Sequence, residues 1–276
     1  MLLFLITLQG FSQEELDIEI DRANELYTSG NIDSAVSIWK DVANNADKPS
    51  STYGAALRNI LFYYISIKND EQIIAQYNII MNAGLNDKDR NYEMGKPYKN
   101  YKYNSTIDIA GYFANKGDFE KSYYYMHKAD TEIQYETSSL TSFMYRKIEL
   151  AIWKYHLLKD MKRNNEAVAV LITRAFEYDY KNMYPDWASF SNNQYEEELA
   201  QLICSEFNSL KKLMIEIDNG IENLIFDAKK NKIQLTLFGL DYEISLYSKF
   251  ETKDECKEYL KNSVFYSYLS NSITKK

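Results

Sequence analysis

Apolar residues recur at every third or fourth position through much of this chain, which is the spacing that places side chains on one face of an α-helix. The first two such faces consist of Leu16, Ile20, Ala23, Leu26 and Tyr27, and then of Ala35, Ile38, Trp39 and Val42. Gly30 lies between them, and glycine often ends a helix because it adopts the left-handed conformation at little steric cost. The pattern therefore predicts two antiparallel helices joined by a tight turn.

The same pattern occurs twice. Residues 23–33 are ANELYTSGNID and residues 110–120 are AGYFANKGDFE, and each has a small residue, a large apolar residue and then a glycine at equal spacing. The apolar or small positions after each glycine also coincide, at two, five, nine and twelve residues. Two further amphipathic pairs contain the polar turns KND at 68–70 and KRNN at 162–165. We therefore expect four helical hairpins across residues 14–181.

These positions resemble the pattern of the tetratricopeptide repeat family. The matching residues are Ala23, Leu26, Gly30, Ala35 and Trp39 in the first copy, and Ala110, Phe113, Gly117, Ser122, Met126 and Ala129 in the second. Glu19 and Thr106 replace the family's large residue near the start of the first helix, so a generic helical hairpin is the alternative. The resemblance implies a mainly α array of stacked antiparallel hairpins. It also implies a concave wall built from the first helix of each hairpin, which Asn24, Tyr27, Thr28, Gly111, Ala114 and Asn115 would face.

An insertion at residues 85–104 interrupts the array and is a candidate contact surface. It interleaves tyrosines with basic residues, namely Tyr92, Tyr98, Tyr101 and Tyr103 with Lys96 and Lys99. Such a mixture can bind an acidic protein, a glycan or a single-stranded nucleic acid. The alternative is a spacer whose tyrosines pack on neighbouring helices. Tyr184 and Trp187, beside Pro185 in the break that follows the array, form a second candidate contact.

The spacing of apolar residues changes within the C-terminal region, residues 194–276. Helical spacing from Tyr195 to Ile217 predicts one long helix. Residues 232–250, KIQLTLFGLDYEISLYSKF, then alternate apolar and polar positions, which predicts a strand pair with Gly239 near its turn. Thr252 and Glu255 have the spacing of a capping box at the start of a closing helix. This small β-hairpin and helix would form either a cap for the array or a separate binding domain.

The N-terminus suggests export. Residues 1–8 are apolar except Thr7, and Gly10 and Ser12 place small side chains before a possible cut at Gln13. This stretch is too short to span a bilayer, but it suits a signal peptide over residues 1–12. The prediction is a periplasmic or secreted protein without a membrane span after signal removal. The alternative is a buried N-terminal segment in a cytoplasmic protein.

Cys204 and Cys256 are the two cysteines of the sequence, and they would form either a disulfide or two buried free thiols.

Composition and motifs narrow the function. A chain of 276 residues that is 45% hydrophobic is long enough for a packed core, and its net charge of -8 disfavours nucleic acid as a partner. His127 and His156 are isolated, and the sequence contains no zinc spacing, phosphate loop or nucleophile elbow. We therefore expect no catalytic residues, metal or cofactor, and a scaffold or adaptor that binds a protein or peptide. The alternatives are an exported immunity-type protein that blocks a toxin and an enzyme on a helical scaffold that acts on glycans.

Overall fold

The computed structural model describes residues 12–85, 99–177, 194–207, 209–246 and 248–274. Within them the chain is mainly helical. The helices are α1 (Gln13–Thr28), α2 (Ile32–Asn45), α3 (Ser51–Ser66), α4 (Asp70–Asn82), α5 (Tyr101–Lys116), α6 (Phe119–Thr131), α7 (Leu140–Asp160), α8 (Asn164–Glu177), α9 (Gln194–Glu206), α10 (Leu210–Asn223), α11 (Lys253–Lys261) and α12 (Val264–Thr274). Strands β1 (Ile225–Asp227), β2 (Lys232–Leu237) and β3 (Leu240–Ser245) form one small sheet. The predicted fold class is confirmed.

The chain divides into two compact units, Met1–Ser138 and Ser139–Lys276. In the N-terminal unit, α1 pairs with α2, α3 with α4, and α5 with α6. Consecutive first helices also contact one another, α1 against α3 and α3 against α5, while each second helix packs on the first helix of the next pair. This arrangement buries a continuous apolar face on each helix and is compatible with a helical-repeat fold.

The four hairpin turns share one backbone conformation. Gly30, Lys68, Gly117 and Lys162 all have positive φ, at 90°, 56°, 80° and 64°. At each turn the amide of the next residue donates to the carbonyl five positions earlier, with N···O distances between 2.8 and 3.1 Å. These bonds satisfy carbonyl groups that the end of a helix would otherwise leave unpaired. The predicted turns are therefore present in all four hairpins, including the two that lack glycine.

Counting forward from the left-handed residue gives the same core positions in every hairpin. The fifth residue is completely buried in each case, and these residues are Ala35, Ile73, Ser122 and Ala167. The ninth residue is also buried, and the set is Trp39, Tyr77, Met126 and Leu171. Of the other predicted repeat positions, Ala23, Ala110, Phe113 and Ala129 are buried and Leu26 is partly buried. The periodicity found in the two strong copies thus extends to the two degenerate ones.

The C-terminal unit combines the fourth hairpin with the small sheet. Helix α9 packs against α7, α8 and α12, and β3 contacts α8. The sheet is antiparallel in the order β1-β2-β3, and β2 pairs with β3 from Lys232–Ser245 to Leu237–Leu240. The division between the two compact units lies between Ser138 and Ser139. Helices α7 and α8 therefore belong to the C-terminal unit.

The single long helix predicted after residue 194 is two helices. Helix α9 ends at Glu206, and α10 begins at Leu210 after Ser209, whose φ of -141° is not helical. Because Phe207 is half-buried and Leu210 is buried, the apolar spacing continues through the break and conceals it. Both cysteines are free thiols, but only Cys256 is buried as the second alternative expected, because Cys204 is half-buried. Burial raises the pKa of Cys256 to about 11.

Candidate functional site

The first helices of the N-terminal unit are joined by polar side chains, which form what we call the α1–α3–α5 surface (Asn24, Arg58, Asn59, Phe62 and Asp108). The Nδ2 of Asn59 on α3 donates to the Oδ1 of Asn24 on α1 at 2.9 Å. On the other side of α3, Nη2 and Nε of Arg58 donate to Oδ2 of Asp108 on α5 at 2.9 and 3.2 Å. Hydrogen bonds therefore link each pair of neighbouring first helices.

An aromatic ring lies at the middle of this surface. Phe62 is 39% exposed, and the guanidinium carbon of Arg58 lies 4.7 Å from its ring centroid. Burial raises the pKa of Asp108, although the charge and hydrogen bonds of Arg58 act in the opposite direction. The guanidinium is thus held between a carboxylate and a ring, so both its position and its plane are restrained. The surface presents an accessible aromatic side chain beside fixed polar groups.

The predicted contacts on the first helices occupy different environments. Asn24 and Thr28 are exposed, and the Thr28 hydroxyl donates to the Glu25 carbonyl of its own helix at 2.9 Å. Tyr27 is half-buried and lies 5.2 Å from Trp39 between ring centroids, so it mainly contributes packing. On α5, the equivalent predicted positions are half-buried or exposed, and these are Gly111, Ala114 and Asn115.

Sequence reasoning missed the residues of α3. Arg58, Asn59 and Phe62 belong to a hairpin whose turn has no glycine, so the glycine-based pattern of the two strong copies does not place them. A signal nevertheless existed. Phe62 lies six residues before the left-handed Lys68, which is the same offset as Asn24 from Gly30. Alignment on the polar turn at Lys68 would have placed Phe62 on the predicted wall.

Two tyrosines of the predicted insertion are in the core, which corrects their assignment as partner contacts. Tyr101 and Tyr103 lie in the first turn of α5 and are 8% and 1% exposed. The Tyr101 hydroxyl donates to the Ser51 carbonyl at 2.8 Å, and its ring lies where Gly54 has no side chain. The Tyr103 ring packs 5.0 Å from that of Tyr135. Both rings bury apolar area against neighbouring helices, which agrees with the alternative that the tyrosines of this segment are packing residues.

The remaining predicted contacts lie mostly outside the described residues. Lys99 is a described residue and is exposed. The predicted residues that lie outside the described ranges are Tyr92, Lys96, Tyr98, Tyr184 and Trp187, together with residues 1–11 of the predicted signal peptide. Within the described ranges, no three His, Cys, Asp or Glu side chains are grouped so that they could hold a metal ion. None of the helices in those ranges has the length and apolar character needed to cross a bilayer.

Comparison with known proteins leaves the architecture as the main guide to function. No protein-family model, curated protein or solved structure matches the chain. Stacked antiparallel helix pairs therefore describe the N-terminal unit without assigning it to a family, and any function must be argued from the surface that these pairs build.

Proposed function

We propose that the chain is an exported, non-catalytic helical-repeat protein that binds another protein through the α1–α3–α5 surface, as a scaffold or adaptor does. The observation that carries the proposal is the exposed Phe62 at the centre of three adjacent first helices, with bonded polar pairs on both sides. Aromatic and arginine side chains contribute most to affinity in many protein interfaces.

The polar pairs suit a polypeptide partner. A side-chain amide has two donor hydrogens and an acceptor oxygen, and the bond between Asn24 and Asn59 uses only one donor and one acceptor. The remaining capacity can serve the alternating N–H and C=O groups of a partner backbone. Phe62 would then supply the apolar contact, and the Arg58–Asp108 pair would fix the orientation of the site.

Binding is tested by affinity purification of the tagged full-length chain from its own cells. Phe62→Ala should reduce recovery of the partner about tenfold or more, because a central aromatic residue is lost. The matched control is Ile79→Ala on α4, since Ile79 is 47% exposed but lies on a second helix, away from the surface. Both variants should keep the wild-type circular dichroism spectrum. Equal recovery with Phe62→Ala and wild type would remove the α1–α3–α5 surface from the proposal.

Export is tested separately by mass spectrometry of the native protein. The proposal expects an N-terminus at or near Gln13 in the periplasmic or secreted fraction, and an intact Met1 in the cytoplasm would contradict it. The expected cut removes Ser12, which caps α1. Its hydroxyl accepts from the Glu15 amide at 3.3 Å, and Glu15 accepts from the Ser12 amide at 2.7 Å.

A further inference from the structure

The turn between β2 and β3 holds a residue that is poorly suited to it. Phe238 and Gly239 have φ values of 55° and 78°, so both central residues of this two-residue hairpin loop are left-handed. Such loops favour Asn-Gly, because a side chain with a Cβ is strained at positive φ and asparagine tolerates the strain best. Phenylalanine at this position therefore lowers the stability of the turn relative to asparagine.

Helix α10 holds this turn in place. The Phe238 amide donates to Oε1 of Glu216 at 2.5 Å, and the Phe238 ring stacks on Phe207 with 6.3 Å between centroids. One turn later on the helix, a Cβ added at Gly220 would lie 2.8 Å from the Thr236 carbonyl oxygen. The helix thus runs alongside β2, and its residue Glu216 reaches the hairpin tip.

This end of the unit exposes apolar side chains with a basic margin. Ile215 is 52% exposed and Leu240 is 45% exposed. Lys211 and Lys212 are also exposed, and they lie four and three positions before Ile215, on the same side of α10. Neither lysine forms an ion pair with any residue that the structure describes. We call these four residues and Phe238 the Phe238 patch.

We propose that the Phe238 patch binds an acidic and apolar segment of another protein, at a second site distinct from the α1–α3–α5 surface. Residues that break a local rule are expected at functional positions, and Phe238 supplies aromatic area where asparagine would supply stability. Lys211 and Lys212, which form no ion pair with a described residue, lie one helical turn from exposed Ile215 on α10, and such a surface is complementary to carboxylates beside apolar side chains. A symmetric contact with a second copy would instead place two pairs of like-charged lysines in one interface, which is unfavourable.

The site is tested with three labelled peptides of equal length that share their Leu and Trp positions. They differ only in carrying Glu, Gln or Lys at all other positions. Fluorescence polarisation with the full-length chain at low salt should give the tightest binding for the Glu peptide and the weakest for the Lys peptide. The double variant Lys211→Glu/Lys212→Glu should reverse this order. The control is the double variant Lys229→Glu/Lys230→Glu, which makes the same change of charge at the opposite end of β2. In this control the three peptides should bind in the same order of affinity as they do to wild type.

Phe238→Asn separates binding from folding. The improved turn should offset the lost contact with Phe207, so the variant should unfold at nearly the same temperature as wild type. It should nevertheless bind the Glu peptide about tenfold more weakly, because the aromatic ring is lost. Equal binding of the three peptides, or unchanged binding in both Phe238→Asn and the Lys211/Lys212 variant, would overturn the proposal. An equal effect of the Lys229/Lys230 control would also overturn it, since only net charge would then matter. Light scattering that shows a dimer abolished by Phe238→Asn would assign the patch to a second copy instead.

Discussion

Substitution of the residue that closes each helical hairpin should change stability in opposite directions at glycine and at lysine. Gly117 has a φ of 80°, and an added Cβ would meet nothing within 4 Å, so alanine there introduces no clash. The left-handed conformation costs an L-residue about 1–2 kcal/mol, and the reduced freedom of the unfolded chain returns about 0.4–1 kcal/mol. We therefore expect Gly117→Ala, and likewise Gly30→Ala, to lower the free energy of unfolding by about 1 kcal/mol.

At Lys68 the same terms act with the opposite sign. This residue already has a φ of 56°, so Lys68→Gly removes the conformational strain while making the unfolded chain more flexible. The net expectation is a gain of up to about 1 kcal/mol. Glycine lowers stability at most positions inside a helix, but at position 68 it should raise the stability of the hairpin.

Trp39 gives a direct measurement of these changes. It is buried against Tyr27 and is the tryptophan of the N-terminal unit, so replacement of Trp153 and Trp187 by Phe leaves a fluorescence signal that reports on this unit. Urea unfolding of each variant in that background gives the free energies. Asn115→Ala, exposed in the last turn of α5, is the control and should change stability by less than about 0.5 kcal/mol. A Lys68→Gly variant destabilised as much as Gly117→Ala would refute the reasoning.

Three further predictions concern packing and charge. The buried Ser122 hydroxyl has no hydrogen-bond partner among the described residues. Ser122→Ala should therefore raise the free energy of unfolding by about 1 kcal/mol, and Ala35→Ser, which buries a hydroxyl at the equivalent position, should lower it; a less stable Ser122→Ala would contradict this. Gly54→Ala would place its Cβ 2.6 Å from the Tyr101 ring, so thermal unfolding should show a loss of about 2 kcal/mol that Tyr101→Leu partly restores; no loss would mean that the two helices are not packed as described. Hydrogen bonds from two lysines lower the pKa of Glu222 to about 2, so its contribution is complete above the ordinary carboxyl pKa and is lost as the pH falls toward 2. Denaturation at several pH values should therefore show a smaller acid-side decline in Glu222→Gln than in wild type, and identical declines would exclude this role.

The array was predictable because its signals are local. Ala35 and Trp39 follow Gly30 at offsets that the sequence repeats after Gly117, and those offsets mark buried positions in every hairpin. The conformation of Lys68 and Lys162 was not predictable in the same way. Lysine carries no preference for the left-handed region, so only the polar residues around it indicated a turn.

The candidate site depends on contacts between distant residues, and sequence periodicity does not contain them. Tyr101 belongs to a stretch that alternates tyrosine with lysine, yet its ring is buried because Gly54, on another helix, leaves room for it. The bond between Asn24 and Asn59 likewise needs two helices in register. Helical phase could place each of these residues on a face, but only the packing of α1, α3 and α5 decides which faces meet.

Backbone strain at three described residues other than glycine has two different explanations. Lys68, Lys162 and Phe238 all have positive φ. The lysines are exposed at turns that glycine fills in the sister hairpins, so glycine could replace them with no loss of a described contact. Phe238 differs because its ring stacks on Phe207, and exposed Leu240 follows two residues later at the same hairpin tip. Lys68→Gly should therefore relieve strain and leave binding of the Glu peptide unchanged. Phe238→Asn should also relieve strain, but it removes a side chain that the proposed site uses.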